Sequence, residues 1–237
     1  MTLPAEEDGV WLSIVVPVYN APARYLDDLL QSFLTQKETR AELILSDDAS
    51  TSEETKRWLS KARPHAAVRI VRNPANGGIA RATNAGLAEA TGRWVALLDH
   101  DDVIAPHALR LVREALARNP DAQFLYTDEL VVDDALRASG LMLKPAYDPV
   151  LLTGVNYINH FSFYRRDRLA AIGNLRTGYD GSQDYDLLLR YLEGLAREDV
   201  LHLPYPAYWW RRTGKTYSRT FLDAATKAAR TAIADRF

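Results

Sequence analysis

The 237-residue chain contains no cysteine. It therefore has no disulfide framework, no thiolate metal site and no cysteine nucleophile, and it suits a reducing compartment. An excess of either charge is also missing: 29 Lys and Arg stand against 31 Asp and Glu, for a net charge of −2. Nucleic-acid-binding domains are usually strongly basic, so no nucleic-acid partner is expected. No apolar run approaches the roughly 20 residues of a membrane-spanning helix. The longest runs, such as 94–98, have strand length. Glu6, Glu7 and Asp8 stand where a secretory signal would be basic and then apolar. These absences describe a soluble protein or a soluble domain. Two phosphate-binding signatures are missing as well. The first apolar run closes in Val18-Tyr19-Asn20, without the glycines of a dinucleotide-binding turn, and no Gly-x-x-x-x-Gly-Lys-Ser/Thr loop occurs.

What is present is alternation. Residues 13–18, 42–46, 67–71 and 93–98 are short apolar or β-branched runs that read as strands. Between them, 22–36, 51–62 and 79–90 read as helices, the first with Leu26, Leu29, Leu30, Phe33 and Leu34 at helical spacing. Pro106, a good first-turn residue, opens another helix to about Arg118. Such alternation predicts an α/β fold with an open, largely parallel sheet and helices on its faces. The pattern weakens after a strand at 122–128. Residues 131–156 read as loop-rich, a strand is expected near 160–165, and helices near 182–195 and 221–236. The last helix reaches Phe237 without a Gly or Pro stop. This leaves a fraying terminal helix or a module excised from a longer chain, and favours the second. One domain over 1–237 is expected, with a nucleotide-binding half at about 12–127, a second half at about 128–218 and a helix at 219–237.

Open α/β sheets bind ligands beyond the carboxyl ends of their strands. Tyr19-Asn20, Asp47-Asp48 and Asp99-His100-Asp101-Asp102 occupy three such ends. Asp and Asn also favour turns and caps, yet three polar ends on one sheet edge point to a site. Crowded carboxylates repel unless a cation or a proton relieves them. A hard divalent ion takes one or two carboxylates and fills its shell with waters and phosphate oxygens, so the last cluster suits a metal holding a diphosphate. His100 alternates with the acids along an extended segment and is expected to point away from them. Asn76-Gly77-Gly78 reads as a turn with an Asn cap, and Arg81, one turn into the helix, is placed to meet a phosphate. Residues 180–186 hold Asp180, Asp184 and Asp186, and acids at a helix start also stabilise it through the dipole. Asp184 and Asp186 sit two apart and share no face, so at most one points into a given cleft. Tyr208-Trp209-Trp210-Arg211-Arg212 suits either base and phosphate binding or an amphipathic edge strand.

The segments 13–20, Ser46-Asp47-Asp48-Ala49-Ser50, Asn76-Gly77-Gly78 with Arg81 and Asn84-Ala85-Gly86, and Leu98-Asp99-His100-Asp101-Asp102 together resemble the family 2 glycosyltransferases of the GT-A fold. They stand in the family's order, and the resemblance covers about residues 12–218. Tyr126-Thr127-Asp128-Glu129, Lys144-Pro145, 156–160, Arg165-Arg166 and 181–187 narrow it to transferases that build bacterial O-antigen and capsular polysaccharides. The resemblance implies a Rossmann-like, mostly parallel sheet with an acceptor-binding second half. It implies an inverting transferase that takes a UDP- or dTDP-linked sugar donor, a divalent Mn²⁺ or Mg²⁺, and an oligosaccharide or lipid-linked saccharide acceptor. By motif position Pro17, Tyr19 and Asp48 frame the base and ribose, with Asn20, Asn76, Gly78 and Arg81 also on the donor side. Asp99 lies near the ribose or donor sugar, Asp101 binds the metal, and Asp184 is the catalytic base. His160, Gln183, Arg212 and Lys215 are further candidates for acceptor or diphosphate contacts. A cytoplasmic location follows, extending to peripheral association with the inner face of the bacterial membrane, and other catalytic domains in the same chain are compatible with it.

Two departures from the family stand out. Many relatives carry a histidine after the late aromatic-arginine segment, where this chain reads Trp210-Arg211-Arg212-Thr213-Gly214-Lys215. Arg212 or Lys215 is left to supply positive charge there. The 128–134 region is also shorter than in relatives with a long acidic loop. Among other readings, a haloacid-dehalogenase-type phosphatase expects its Asp nucleophile where Tyr19-Asn20 stand. A sugar-nucleotide pyrophosphorylase expects a glycine-rich, Arg-bearing loop after the first strand. A catalytically inactive sugar- or nucleotide-binding module of a larger synthase is opposed by intact Asp48, Asp101 and Asp184.

Overall fold

Four parallel strands carry the first half of the computed structural model, which describes residues 9–38, 40–61, 65–212 and 222–236. β1 (Leu12–Val18), β2 (Ala41–Asp47), β3 (Val68–Arg72) and β4 (Trp94–Leu97) lie in the order β3-β2-β1-β4. Crossovers through α1 (Ala23–Leu34), α2 (Glu53–Lys61) and α3 (Ile79–Ala88) join them. β1 and β2 are buried along almost their whole length, as parallel strands with helices on both faces must be. Along β1, Leu12, Ile14, Val16 and Val18 enter one apolar core and Val15 the opposite one. The first core is filled by Leu26, Leu29 and Phe33 of α1, Leu59 of α2, and Leu109 and Val112 of α4 (Ala108–Arg118). The spacing read at 22–36 thus sets the buried face of α1. On the other side α3 approaches so closely that a Cβ on Gly86 would fall 2.5 Å from Val15 Cγ1. Only glycine lets that helix seat on β1.

Beyond β4 the sheet changes character. β8 (Ser162–Arg165) runs antiparallel to both β4 and β6 (Phe124–Val132), and β9 (Val200–Arg211) runs parallel to β6. The two-residue β5 (Val103–Ile104) closes the far edge against β9, and β7 (Ala138–Met142) pairs antiparallel with β6. The full order is β3-β2-β1-β4-β8-β6-β9-β5. α5 (Pro149–Gly154), α6 (Arg166–Ala171), α7 (Gln183–Tyr191) and α8 (Leu222–Ala234) contribute to the same core as α3. The parallel, doubly covered sheet matches the expectation, and the mixed strands are an addition of the second half.

The sequence reading missed β5, β7, α5, α6 and most of β9. Residues 131–156, expected to be loop-rich, contain β7 and α5. All five β7 residues are exposed and α5 spans six residues, so neither shows the periodicity by which buried elements are read. β9 was legible only at 208–212, because Pro204 and Pro206 argue against a continuous strand. The structure accommodates them where the β6–β9 register slips around Asp128. No helix among the described residues is long and apolar enough to cross a membrane.

Candidate active site

The polar end of β1 binds the loop after β2, and the polar end of β2 binds the loop after β3. Asn20 adopts the left-handed region (φ 50°), and its Oδ1 accepts the N–H groups of Thr51 and Ser52, each at 2.8 Å. Asp48, buried at 3 % exposure, accepts the N–H of Gly77 at 2.9 Å, the N–H of Gly78 at 2.8 Å and Asn73 Nδ2 at 3.1 Å. Asp48 is therefore the staple of the loop that starts α3. Asn76 donates to the Asp48 carbonyl at 3.4 Å. Gly78 sits at φ +83°, and a Cβ on Gly77 would fall 2.9 Å from Arg81 Cδ. The glycines thus let the loop turn and leave room for Arg81, which is exposed and has no ion pair among the described residues. Tyr19 is 45 % exposed and Pro17 half-buried at the same strand end.

After β4 the four-residue acidic segment divides its labour. Asp102 points inward, where its carboxylate accepts the Tyr208 hydroxyl and, at 2.6 Å, the Arg211 N–H. Burial, reinforced by the charges of Asp101 and Asp99, pushes its carboxyl well above the usual range. His100 turns back toward β1, its Nδ1 3.3 Å from the Pro17 carbonyl. Asp99 keeps 42 % of its side chain open to solvent, yet the surrounding protein raises its pKa; His160 opposes that rise, and Asp101 and Asp184 reinforce it. The Asp101 carboxylate makes no hydrogen bond or ion pair with any described residue. No three His, Asp or Glu side chains gather as a self-sufficient metal cage among the described residues.

The second half brings two more groups to this edge. His160 lies 3.4 Å from Glu129 through Nδ1 and 3.7 Å from Asp99 through Nε2, with its ring stacked 4.6 Å from that of Tyr208. Burial alone would lower its pKa. The hydrogen bond and charge of Glu129, then the charges of Asp99 and Asp102, outweigh burial and raise it to about 9. His160 is a cation at neutral pH. Glu129 in turn pairs at 2.7 Å with Lys144, both nearly fully buried, and Lys144 also donates to the Ile158 and His160 carbonyls.

Asp184 stands in the first turn of α7, where Asn156 Nδ2 donates to its Oδ2 at 2.9 Å. Burial raises its pKa, while the His160 charge and the backbone N–H groups of Tyr185 and Asp184 itself pull the other way. Asp186, two residues on, is buried between Arg176 and Arg190, so one acid of the pair faces the cleft and the other the interior. Gln183 accepts the Gly181 N–H at 2.9 Å and closes the turn before α7. Arg212 is exposed at the end of β9 and lies over Trp210 at 4.9 Å. Lys215 falls outside the described residues.

Asp184 lines an open cleft of about 390 Å³ with Asn156, Asn159, Ser182, Thr226 and Arg230. A second hollow of about 220 Å³, beside Tyr147, Leu152 and Leu189, contains none of Asp48, Asp99, Asp101 or Asp184 and lies away from the chemistry. The reading of the sequence gave no individual role to Glu129 or Lys144, and it placed Asp102, Tyr208 and Arg211 only within segments suited to metal, base or phosphate binding, not in the buried network they form. Glu129 was the findable one: a charge inside the otherwise apolar end of a strand must be paired when buried.

Crossover helices, acids at the strand ends and a polar second-half cleft are arranged around one mixed sheet. The fold is GT-A: S. aureus TarS, solved in complex with UDP-GlcNAc, gives a TM-score of 0.73 over 89 % of this chain and 61 % of that one, at 19 % identity. The mannosyltransferase PcManGT of Pyrobaculum calidifontis, in complex with GDP-Man and Mn²⁺, gives 0.64 over 94 % and 65 %, at 18 % identity. Residues 13–173 match the sequence model of glycosyl transferase family 2, and the chain belongs to that family. Among curated relatives, the O-antigen biosynthesis protein RfbC of Myxococcus xanthus is 37 % identical over 94 % of this chain. The chain spans only 18 % of the length of RfbC.

Proposed function

We propose that the chain transfers a sugar from a UDP- or dTDP-linked donor to a saccharide acceptor, with inversion at the anomeric carbon. The observation that carries this reading is Asp184, a carboxylate of raised proton affinity, oriented by Asn156 on the wall of an open cleft. A group so placed suits a general base. One Asp184 oxygen takes the acceptor hydroxyl proton while the hydroxyl oxygen bonds to the anomeric carbon. The bond from that carbon to the diphosphate breaks on the opposite face, and its electron pair leaves with the diphosphate. A single in-line attack inverts the centre. His160, Arg81 and Arg212 are the described cations nearest in role to the departing charge.

Asp101 fits the divalent ion, Mn²⁺ or Mg²⁺, that the fold family implies. Its carboxylate has no partner among the described residues while neighbouring Asp102 is fully engaged, and one or two carboxylates completed by phosphate oxygens suit such an ion. Asp99 would be the second donor, and an ion held there would supply charge neutralisation for the diphosphate. On the donor side Pro17, Tyr19, Asn20 and the Asn76–Gly78 loop frame the base and ribose, and a pyrimidine imide N–H replaces the 3.1 Å Asn73 contact on Asp48. The donor half is about 12–127 and the acceptor half about 128–218, with 219–237 as the closing helix. The likeness to RfbC supports an oligosaccharide or lipid-linked acceptor of a bacterial surface polysaccharide, met in the cytoplasm or at the inner membrane face, with further catalytic domains in the same chain.

The test is transfer from UDP- and dTDP-sugars with the product's anomeric configuration read by NMR. Retained configuration overturns the single-base mechanism. Calorimetry is expected to show tighter UDP binding with Mn²⁺ than with EDTA, a difference that Asp101→Ala removes; equal affinities overturn the metal assignment. A binding-only module predicts donor affinity with neither transfer nor donor hydrolysis.

A further inference from the structure

Arg211 has the largest of the fully buried side chains, and its charge lies beneath the acidic segment rather than in the cleft. Its guanidinium joins three separate stretches of chain. Nε donates to the Asp101 carbonyl at 2.7 Å, one terminal nitrogen to the Asp134 carbonyl at 2.7 Å, and the other to Asp28 Oδ2 at 2.7 Å. The Tyr25 ring covers it at 4.4 Å. Its own backbone N–H donates to Asp102 Oδ1. The acidic segment is therefore fixed on both sides of one peptide, at the Asp101 carbonyl and the Asp102 carboxylate, by a single residue of β9. Between those anchors the Asp101 carboxylate is left without a hydrogen-bond or ion-pair partner among the described residues.

A rigid fork of five donors suits this task, and a lysine ammonium cannot reproduce its geometry. The placement also separates anchoring from chemistry. Asp28 lies on α1, Asp134 in the β6–β7 turn, and neither carries a role at the strand ends. Burying such a cation is costly unless each partner is present, so the network gains nothing as mere packing that an apolar residue would not provide.

We propose that Arg211 is a positioning residue for Asp101, holding the peptide after Asp101 so that its carboxylate is presented ready-oriented to a divalent ion and the donor diphosphate. The proposal rests on the reading of Asp101 as the metal carboxylate. Pre-orientation raises affinity for the ion without any contact between Arg211 and the ion.

The experiment compares the parent chain, Arg211→Lys and Asp28→Asn by calorimetry with UDP, in Mn²⁺ and in EDTA, with circular dichroism and thermal unfolding as the check on folding. Asp28→Asn alters only the half-exposed far end of the clamp and keeps a folded variant in the comparison. Arg211→Lys is expected to bind UDP as the parent does in EDTA and to lose at least about tenfold of the Mn²⁺-dependent gain in affinity. Asp28→Asn is expected to lose about two- to threefold of that gain. A parental Mn²⁺ gain in either folded variant overturns the clamp, because a purely structural arginine would shift unfolding alone. Absence of any Mn²⁺ gain in the parent chain overturns the reading of Asp101 itself, and the clamp with it.

Discussion

The two halves of the sheet hold their polar residues by different means. In the parallel half, Asn20 and Asp48 bind mainly backbone N–H groups of neighbouring loops, so each acid or amide shapes a turn. In the mixed half, buried carboxylates meet basic side chains: Glu129 pairs with Lys144 and Asp186 with Arg176 and Arg190, while Asp128 lies 2.9 Å from the His202 ring. A loop held by its own N–H groups is locally rigid. Paired buried charges instead fix helices and strands from distant parts of the chain, while Asp184, held by Asn156 and without an ion pair among the described residues, faces the cleft. Removing half of a buried pair is far more damaging than removing a turn contact.

That contrast breaks most sharply within one helical turn. Asp184→Asn is expected to lower transfer by roughly 10²–10⁴-fold, the range for loss of a general base, with donor affinity nearly unchanged. Turnover close to the parent's, with authentic donor and acceptor, would return Asp184 to helix capping. Glu129→Gln leaves the buried Lys144 without its counter-charge and is expected to cost about 3 kcal/mol in urea unfolding. Adding Lys144→Met recovers part of that loss if the pair, rather than the site, is what the charge serves. Asp186→Asn is expected to cost about 2 kcal/mol, less than Glu129→Gln because both of its arginines keep solvent contact. An Asp186 variant that unfolds no more easily than the parent would remove the distinction between the two acids of α7.

Smaller effects sharpen the same comparison. Asp48→Asn keeps the loop's shape but weakens charge-assisted bonds to Gly77 and Gly78, and is expected to cost about 1 kcal/mol. It also lowers the preference for UDP or dTDP over GDP; equal stabilisation of the parent by GDP and UDP in thermal shift sinks the base assignment. The pH profile reads the last effect. A base must be ionised, and burial raises the pKa of Asp184, so transfer falls on acidification through a window above the ordinary carboxylate value of about 3.9. The sign for stability is opposite: a carboxyl with a raised folded-state pKa favours the native state when protonated, so Asp184→Asn leaves stability at neutral pH equal or slightly higher. An acid limb at the ordinary value contradicts the environment seen around Asp184.

Much of the parallel half was legible because its determinants are local. β-branched runs, helical spacing at 22–36 and Asp or Asn at strand ends each act within a few residues, and the structure places them as read. The acidic segment at 99–102 was visible, and so was the rule that Asp184 and Asp186 face apart. Which acid turns inward was not. That choice depends on Tyr208 and Arg211, more than a hundred residues away, meeting Asp102. β9 was hidden by its two prolines and takes its place through parallel pairing with β6, some seventy residues earlier. The meeting of His160 with Glu129 and Asp99, the seating of Lys144 and the opening of the cleft beside α8 likewise depend on long-range contacts. The sequence by itself determined the elements, the parallel order of the first sheet half and the residue types at the strand ends, because periodicity and turn chemistry are short-range. Only the tertiary structure decided which acids are paired and which is left free, because the energy of a buried charge is set by partners that no local spacing reveals.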